Sequence, residues 1–197
     1  MKFAIITHLN HKYHANGIYA YEPYVREMNL WGKHVESCKI VSPISIDPID
    51  AIESKYDFNN ISLEKVPSFN LLTFKNKLRA IRMLPILIYK IFKVCFWADH
   101  IHLRCPGNMG LLGSFVQVFF PFKKKTVKYA GNWDPKSKQP LSYRIQRWIV
   151  SNTFLTHNCN VLVYGEWEKQ SKNVIPFFTA TYSENDIVPI PTKTLDD

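Results

Sequence analysis

No two of the four cysteines, Cys38, Cys95, Cys105 and Cys159, form a Cys-x-x-Cys pair, and each sits in an apolar or strand-like stretch. They read as reduced, structural thiols of a cytoplasmic protein, and their spacing argues against a zinc site. No Gly-x-Gly-x-x-Gly fingerprint is present. The single Gly17 before the first expected helix disfavours a tightly bound dinucleotide, and the lack of Gly-Lys-Ser/Thr excludes a P-loop. A secretory leader would need a longer apolar core than Phe3, Ala4, Ile5 and Ile6. The most apolar stretch, residues 84–97, is broken by Lys90 and Lys93 and is shorter than the ~20 residues that span a bilayer. The expected location is therefore the cytoplasm, in solution or peripheral at the inner face of the cell membrane. Helix-turn-helix, RRM and zinc-finger spacings are missing, so no nucleic-acid partner is expected. There is no internal repeat and no low-complexity segment.

What is present is a chain of 197 residues, enough for one well-buried α/β domain and short for two. Apolar residues make up 46%, which supplies a core. Lys and Arg number 25 against 16 Asp and Glu, a net charge of +9. A surplus of this size points to an anionic partner, whether a phosphorylated substrate, a membrane surface or nucleic acid.

Apolar runs alternate with helical periodicity. Residues 2–7 read as a buried parallel strand. A polar loop with His8, His11 and His14 follows, then a helix over 19–31 ended by Gly32. Strands are expected over 35–41, at an edge over 62–66, and over 98–103, 125–129, 160–164 and 177–182. Helices are expected over 74–97 with a kink or break at Pro85, over 111–120 capped by Asn108, over 141–154 after Pro140, and over 167–172. The alternation implies an α/β fold: a doubly wound, mostly parallel Rossmann-like sheet in a single domain over 1–182, with a polar hinge or linker tail over 183–197. In such a sheet the functional loops lie at the carboxyl ends of the strands. That rule selects residues 8–17, 104–110, 131–138 and 165–168.

Two of these loops carry recognisable chemistry. Arg104 and Asn108, with His100 and His102 on the preceding strand, cluster donors suited to sugar hydroxyls or a phosphate at a helix amino end. The alternative is an Arg104 paired with a nearby acid and two hydrogen-bonded core histidines. Asn132, Trp133 and Asp134 offer an aromatic face flanked by short polar arms, as sugar sites do; the alternative is an Asp-Pro turn with a Trp packed over it. The three histidines of the first loop have no carboxylate or Cys beside them to complete a metal site, so no metal is expected.

On one continuous helix over 74–97, Lys75, Arg79, Arg82, Lys90 and Lys93 would form a single basic stripe. Leu78, Ile81, Leu84, Leu87, Ile88, Ile91, Phe92 and Cys95 would occupy the other faces and pack on the sheet. The stripe would meet anionic lipid headgroups or simply be solvated. Arg144 and Arg147 beside Trp148 would extend it.

The opening Gly17-Ile18-Tyr19-Ala20-Tyr21-Glu22-Pro23-Tyr24-Val25-Arg26-Glu27, with Trp31-Gly32-Lys33-His34 and Ile40-Val41-Ser42-Pro43, resembles the start of family 4 glycosyltransferases of bacterial surface-polysaccharide synthesis. Ala98-Asp99-His100-Ile101-His102-Leu103-Arg104-Cys105-Pro106 and Lys128-Tyr129-Ala130-Gly131-Asn132-Trp133-Asp134 are similar to the middle of the same N-terminal domain. The resemblance implies one half of a two-Rossmann-domain enzyme that transfers a sugar, with retention and without a metal, from a nucleotide-sugar co-substrate. No cofactor would be tightly bound. This half would receive the acceptor, a sugar or lipid-linked glycan. Its cleft residues would be Gly17, Arg104, Asn108, Asn132, Trp133, Asp134 and Glu166, none of them assigned a catalytic role. The donor-binding domain is expected to be absent from this sequence, which would then be a truncation, the product of a split or degraded gene, or a half that needs a partner chain. The alternative function is a non-catalytic glycan- or membrane-binding subunit.

Overall fold

The computed structural model describes residues 1–67 and 74–178, except the side chains of residues 74, 75, 77 and 79. The expected tail over 183–197, and the end of the strand expected over 177–182, lie outside the described residues.

Strand β1 (Lys2–Ile6) is buried from Phe3 onward, which is why its apolar run is continuous rather than alternating. Two short strands follow, β2 (Lys12–His14) and β3 (Gly17–Tyr21), then helix α1 (Glu22–Gly32). Residues 19–21 are thus strand, not the start of the helix. Pro23 in the first turn, its φ preset and its missing N–H unneeded there, fixes the helix start. Val25, Met28 and Gly32 turn inward with Tyr24, one face at helical spacing.

Strand β4 (Ser37–Pro43) pairs with β1, and β5 (Glu53–Lys55) joins β3. Strand β6 (Ile61–Val66) is the expected edge. Helix α2 (Phe74–Trp97) runs without a break through Pro85, and both Pro85 and Ile81, whose carbonyl loses its partner there, are exposed to water. Strand β7 (His100–Cys105), helix α3 (Asn108–Val116) with a short 3₁₀ turn (Gln117–Phe119), β8 (Lys124–Tyr129), α4 (Leu141–Ser151), β9 (Cys159–Val163) and β10 (Val174–Pro176) complete the described chain. Residues 167–172 form turns rather than a helix, and the last described strand precedes residue 177.

The main sheet has seven strands in the order β6-β4-β1-β7-β8-β9-β10, every neighbouring pair parallel. The fold is therefore α/β, Rossmann-like and doubly wound. The chain first steps from β1 through β4 to β6. It then crosses back along α2, about 36 Å long at 1.5 Å per residue, to continue on the other side of β1. The order reverses between β1 and β7, whose registers place Phe3 opposite His100 and Ile6 opposite Leu103. A smaller antiparallel sheet, β2-β3-β5, covers part of the α1 side.

Two cores lie on the two faces. Phe3, Ile5, Ile40 and Cys38 meet α1 and the small sheet through Tyr24, Met28 and Tyr56. Ala4, Ile6, Ile101, Leu103, Val127 and Val161 meet α2, α3 and α4. Each of the Ile, Leu, Val, Phe and Met side chains among them adds about 1.5–3 kcal/mol on burial.

Of the basic residues expected on α2, Arg82 and Lys93 are exposed, and it is the expected packing of the apolar faces that is corrected. Lys90 turns toward β6, where Nζ contacts Glu64 at 2.9 Å and donates to the Lys65 carbonyl. Leu78, Ile81, Ile88 and Phe92 do not pack on the sheet; they are exposed beside Arg82 and Lys93. The sheet is met instead by Leu87, Ile91, Val94 and Cys95, a narrower stripe than the sequence suggests. The side chains of Lys75 and Arg79 lie outside the described residues.

Candidate functional site

The point where a doubly wound sheet reverses leaves a crevice outside the strand ends, because the following loops diverge to opposite faces. Here β1 delivers His8 and Asn10, and β7 delivers Pro106, Gly107, Asn108 and Met109. With Pro43 at the end of β4, Pro67 after β6 and Tyr143 of α4, they line a cavity of about 290 Å³.

Glycines set the closeness of this corner. A Cβ on Gly107 would lie 2.8 Å from His8 Nδ1, so the absence of a side chain lets the His8 ring rest on the β7 loop. A Cβ on Gly110 would meet the Arg104 carbonyl at 2.7 Å, and one on Gly113 the Leu103 Cδ2 at 2.9 Å. Helix α3 therefore sits tightly on β7, with its first turn opening onto the cleft. Gly107, not Asn108, is the residue before the helix; Asn108 is its first residue and lines the cleft. Gln146 of α4 fixes the turn by accepting the Gly107 N–H at 3.1 Å.

The charge here is positive. Arg104 stands at the same strand end with its guanidinium 4.7 Å from the Tyr24 ring centroid, and it makes no ion pair among the described residues. Burial, and then the Arg104 charge, lower the His8 pKa below its ordinary value, so its imidazole is neutral at neutral pH. A neutral imidazole, two amides, a phenol and the amino end of a helix can bind hydroxyls and an anionic group. Among the described residues no group of three His, Cys, Asp or Glu could hold a metal ion.

The other residues singled out from the sequence fall elsewhere. Gly17 opens β3 at a φ of 147°, which favours glycine, and lines a separate groove with Tyr13, Lys55 and Phe58. Trp133 is 1% exposed, edge-on to Tyr129 at 4.8 Å, and donates Nε1–H to Gln170 at 2.7 Å. It is a core residue and offers no ring face to a sugar. Asn132 and Asp134 build the turn around it: Asn132 Oδ1 accepts the Asp134 N–H and Asp134 Oδ1 accepts the Lys136 N–H, each at 2.8 Å. Glu166 is exposed after β9 and does not line the cleft.

His11 and His102 are core residues too and His100 is half-buried, whereas His14 is exposed. His11 is buried with Nε2 2.8 Å from Tyr56 Oη, and burial lowers its pKa to about 4. His100 is 2.8 Å from Thr126 Oγ1, while His102 packs on Phe3 and Trp31. Of the cleft residues, the sequence reading missed His8, Asn10, Gly107 and Tyr143. The strand-end rule already pointed to the first three, and the Gly107-x-x-Gly110-x-x-Gly113 spacing marked the tight strand-to-helix corner.

No family model matches the chain, and no curated protein and no solved structure does so either.

Proposed function

We propose that this chain is the acceptor-side half of a glycosyltransferase, binding a hydroxyl-rich, anionic acceptor such as a prenyl-diphosphate-linked sugar in the cleft between β1 and β7. The observation that carries this reading is the cleft's composition: His8, Asn10, Asn108 and Tyr143 gathered at the reversal of strand order, beside Arg104 and the first turn of α3, with no carboxylate among the described residues of the lining. Neutral His8 and the two amides would hold sugar hydroxyls, and the helix end would face a phosphate. Such binding orients an acceptor hydroxyl for attack. The nucleotide-sugar would be held by another domain or a partner chain, and neither a metal nor a tightly bound cofactor is part of the reading.

Titration of the ¹⁵N-labelled chain with a short-chain prenyl-diphosphate-linked sugar tests it. Expected are shifts at the amides of His8, Gly107 and Asn108, and affinity weakened about tenfold in Asn108→Ala, the loss of one hydrogen bond to a charged or polar ligand. Absence of shifts, or shifts confined to other surfaces, would refute it.

A further inference from the structure

Helices α2, α3 and α4 lie side by side on one face of the sheet, and the outside of this layer is unusually apolar. On α2, Leu78, Ile81, Ile88, Tyr89, Phe92 and Phe96 are exposed at helical spacing. Beside them, the 3₁₀ turn after α3 exposes Phe119 at 73%, and the loop before β8 exposes Phe122 at 93%. Phe92 and Phe119 are in contact, with ring centroids 6.4 Å apart. On α4 the exposed aromatic is Trp148, at 61%.

The charge on this layer is of one sign. Asp99 and Asp134 are the only acidic residues between Lys65 and Gly165, and α2, α3 and α4 contain none. Exposed Arg82, Lys93 and Arg144 are interspersed with the apolar side chains. Large exposed apolar faces mark interaction sites. A second copy of this chain is a poor occupant: a two-fold interface would set this face against itself, bringing cations together with no carboxylate to pair them. No helix among the described residues is long and apolar enough to cross a membrane.

We infer that the outer face of α2, α3 and α4 docks on an anionic lipid bilayer, with Phe92, Phe119, Phe122 and Trp148 entering the boundary between headgroups and acyl chains and Arg82, Lys93 and Arg144 meeting the phosphates. Such faces lie in the interface plane at a depth of about 5–10 Å, held by apolar burial and by attraction to anionic lipid. The inference adds to the geometry expected from a basic stripe, since Arg82 and Lys93 face outward as expected and apolar side chains of α2 face outward with them. It does not depend on what the cleft binds.

The test is flotation of the purified chain with vesicles of phosphatidylcholine alone and of phosphatidylcholine with phosphatidylglycerol. The wild type is expected to float with the mixed vesicles. Phe119→Glu/Phe122→Glu, both sites exposed, should leave thermal unfolding unchanged and weaken partitioning by about a hundredfold, the loss of two aromatic burials. Arg82→Ala/Lys93→Ala/Arg144→Ala should reduce the preference for mixed over neutral vesicles. Brominated acyl chains should quench wild-type fluorescence more than that of Trp148→Phe. Failure to float with either vesicle overturns the inference. So does flotation that salt abolishes but the Phe119/Phe122 variant leaves intact, since that is adsorption by charge alone. A self-associating chain that ignores vesicles would overturn it in favour of a protein partner.

Discussion

Lys128 of β8 donates to Glu27 of α1 in an ion pair whose side chains are only 4% and 8% exposed. It ties α1 to β8, the strand beyond β7. Lys128 Nζ also lies 5.1 Å from the Phe177 ring centroid and 5.8 Å from that of Tyr164. Removing one partner strands the other charge in a low-dielectric site. Glu27→Ala or Lys128→Ala should each destabilise the fold by about 3–5 kcal/mol, read from urea denaturation, whereas Glu27→Leu/Lys128→Met should lose far less. Equal loss in single and double variants would show that the pair's packing, not its charge, matters.

Gly110→Ala should destabilise by about 1–3 kcal/mol, because the new methyl meets the Arg104 carbonyl at 2.7 Å and neither backbone can yield without moving α3 from β7. In an exposed helix the same exchange would stabilise. Thermal unfolding measures the sign directly, and an unchanged or raised midpoint would mean that α3 sits farther from the sheet.

The parallel core was legible because β1 is buried on both faces and reads as a continuous apolar run, while β7, β8 and β9 place apolar side chains at alternate positions between helical segments, as with Ile101, Leu103 and Cys105 or Val161 and Val163. The small sheet was missed although a two-residue loop, Ala15–Asn16 followed by Gly17, is a hairpin signal; the polar Lys12 and His14 disguised β2 as loop. Trp133 and its neighbours misled for another reason. Whether an indole stacks on a sugar or fills the core depends on Gln170 and Tyr129, and no local pattern encodes those contacts. The cleft was half visible. His8 follows from the strand-end rule, but its rest on Gly107 is a tertiary fact. The outward face of α2 was misjudged because apolar residues surround nearly the whole helix, and periodicity alone does not say which of them the sheet covers.

His102 is wholly buried, neither ring nitrogen has a hydrogen-bond partner among the described residues, and burial lowers its pKa to about 3. In the unfolded chain it titrates at its ordinary 6.5. Below that value the unfolded state binds a proton that the folded state refuses, so stability falls as pH falls from 6.5 toward 3 and the contribution is absent above 6.5. His102→Leu should be neutral or stabilising at pH 8. Between pH 6 and pH 4 it should remove about 1.4 kcal/mol per pH unit from the slope of stability against pH. Parallel curves for the two proteins would place a proton on native His102 and contradict its burial.

All four cysteines are free and buried. Burial raises the pKa of Cys95, Cys105 and Cys159 to about 12 and moves Cys38 upward as well. A thiolate is the reactive species, so these groups are protected twice, by lack of access and by protonation. The native chain should react with a thiol-disulfide reagent only as fast as it opens, and all four thiols should titrate at once in denaturant. Because Cys105 lies beneath the Gly107 corner while Cys38 lies under α1, site-resolved labelling under native conditions separates opening of the two cores. The destabilised Gly110→Ala variant should expose Cys105 before Cys38, and simultaneous labelling would mean that the two faces unfold as one unit.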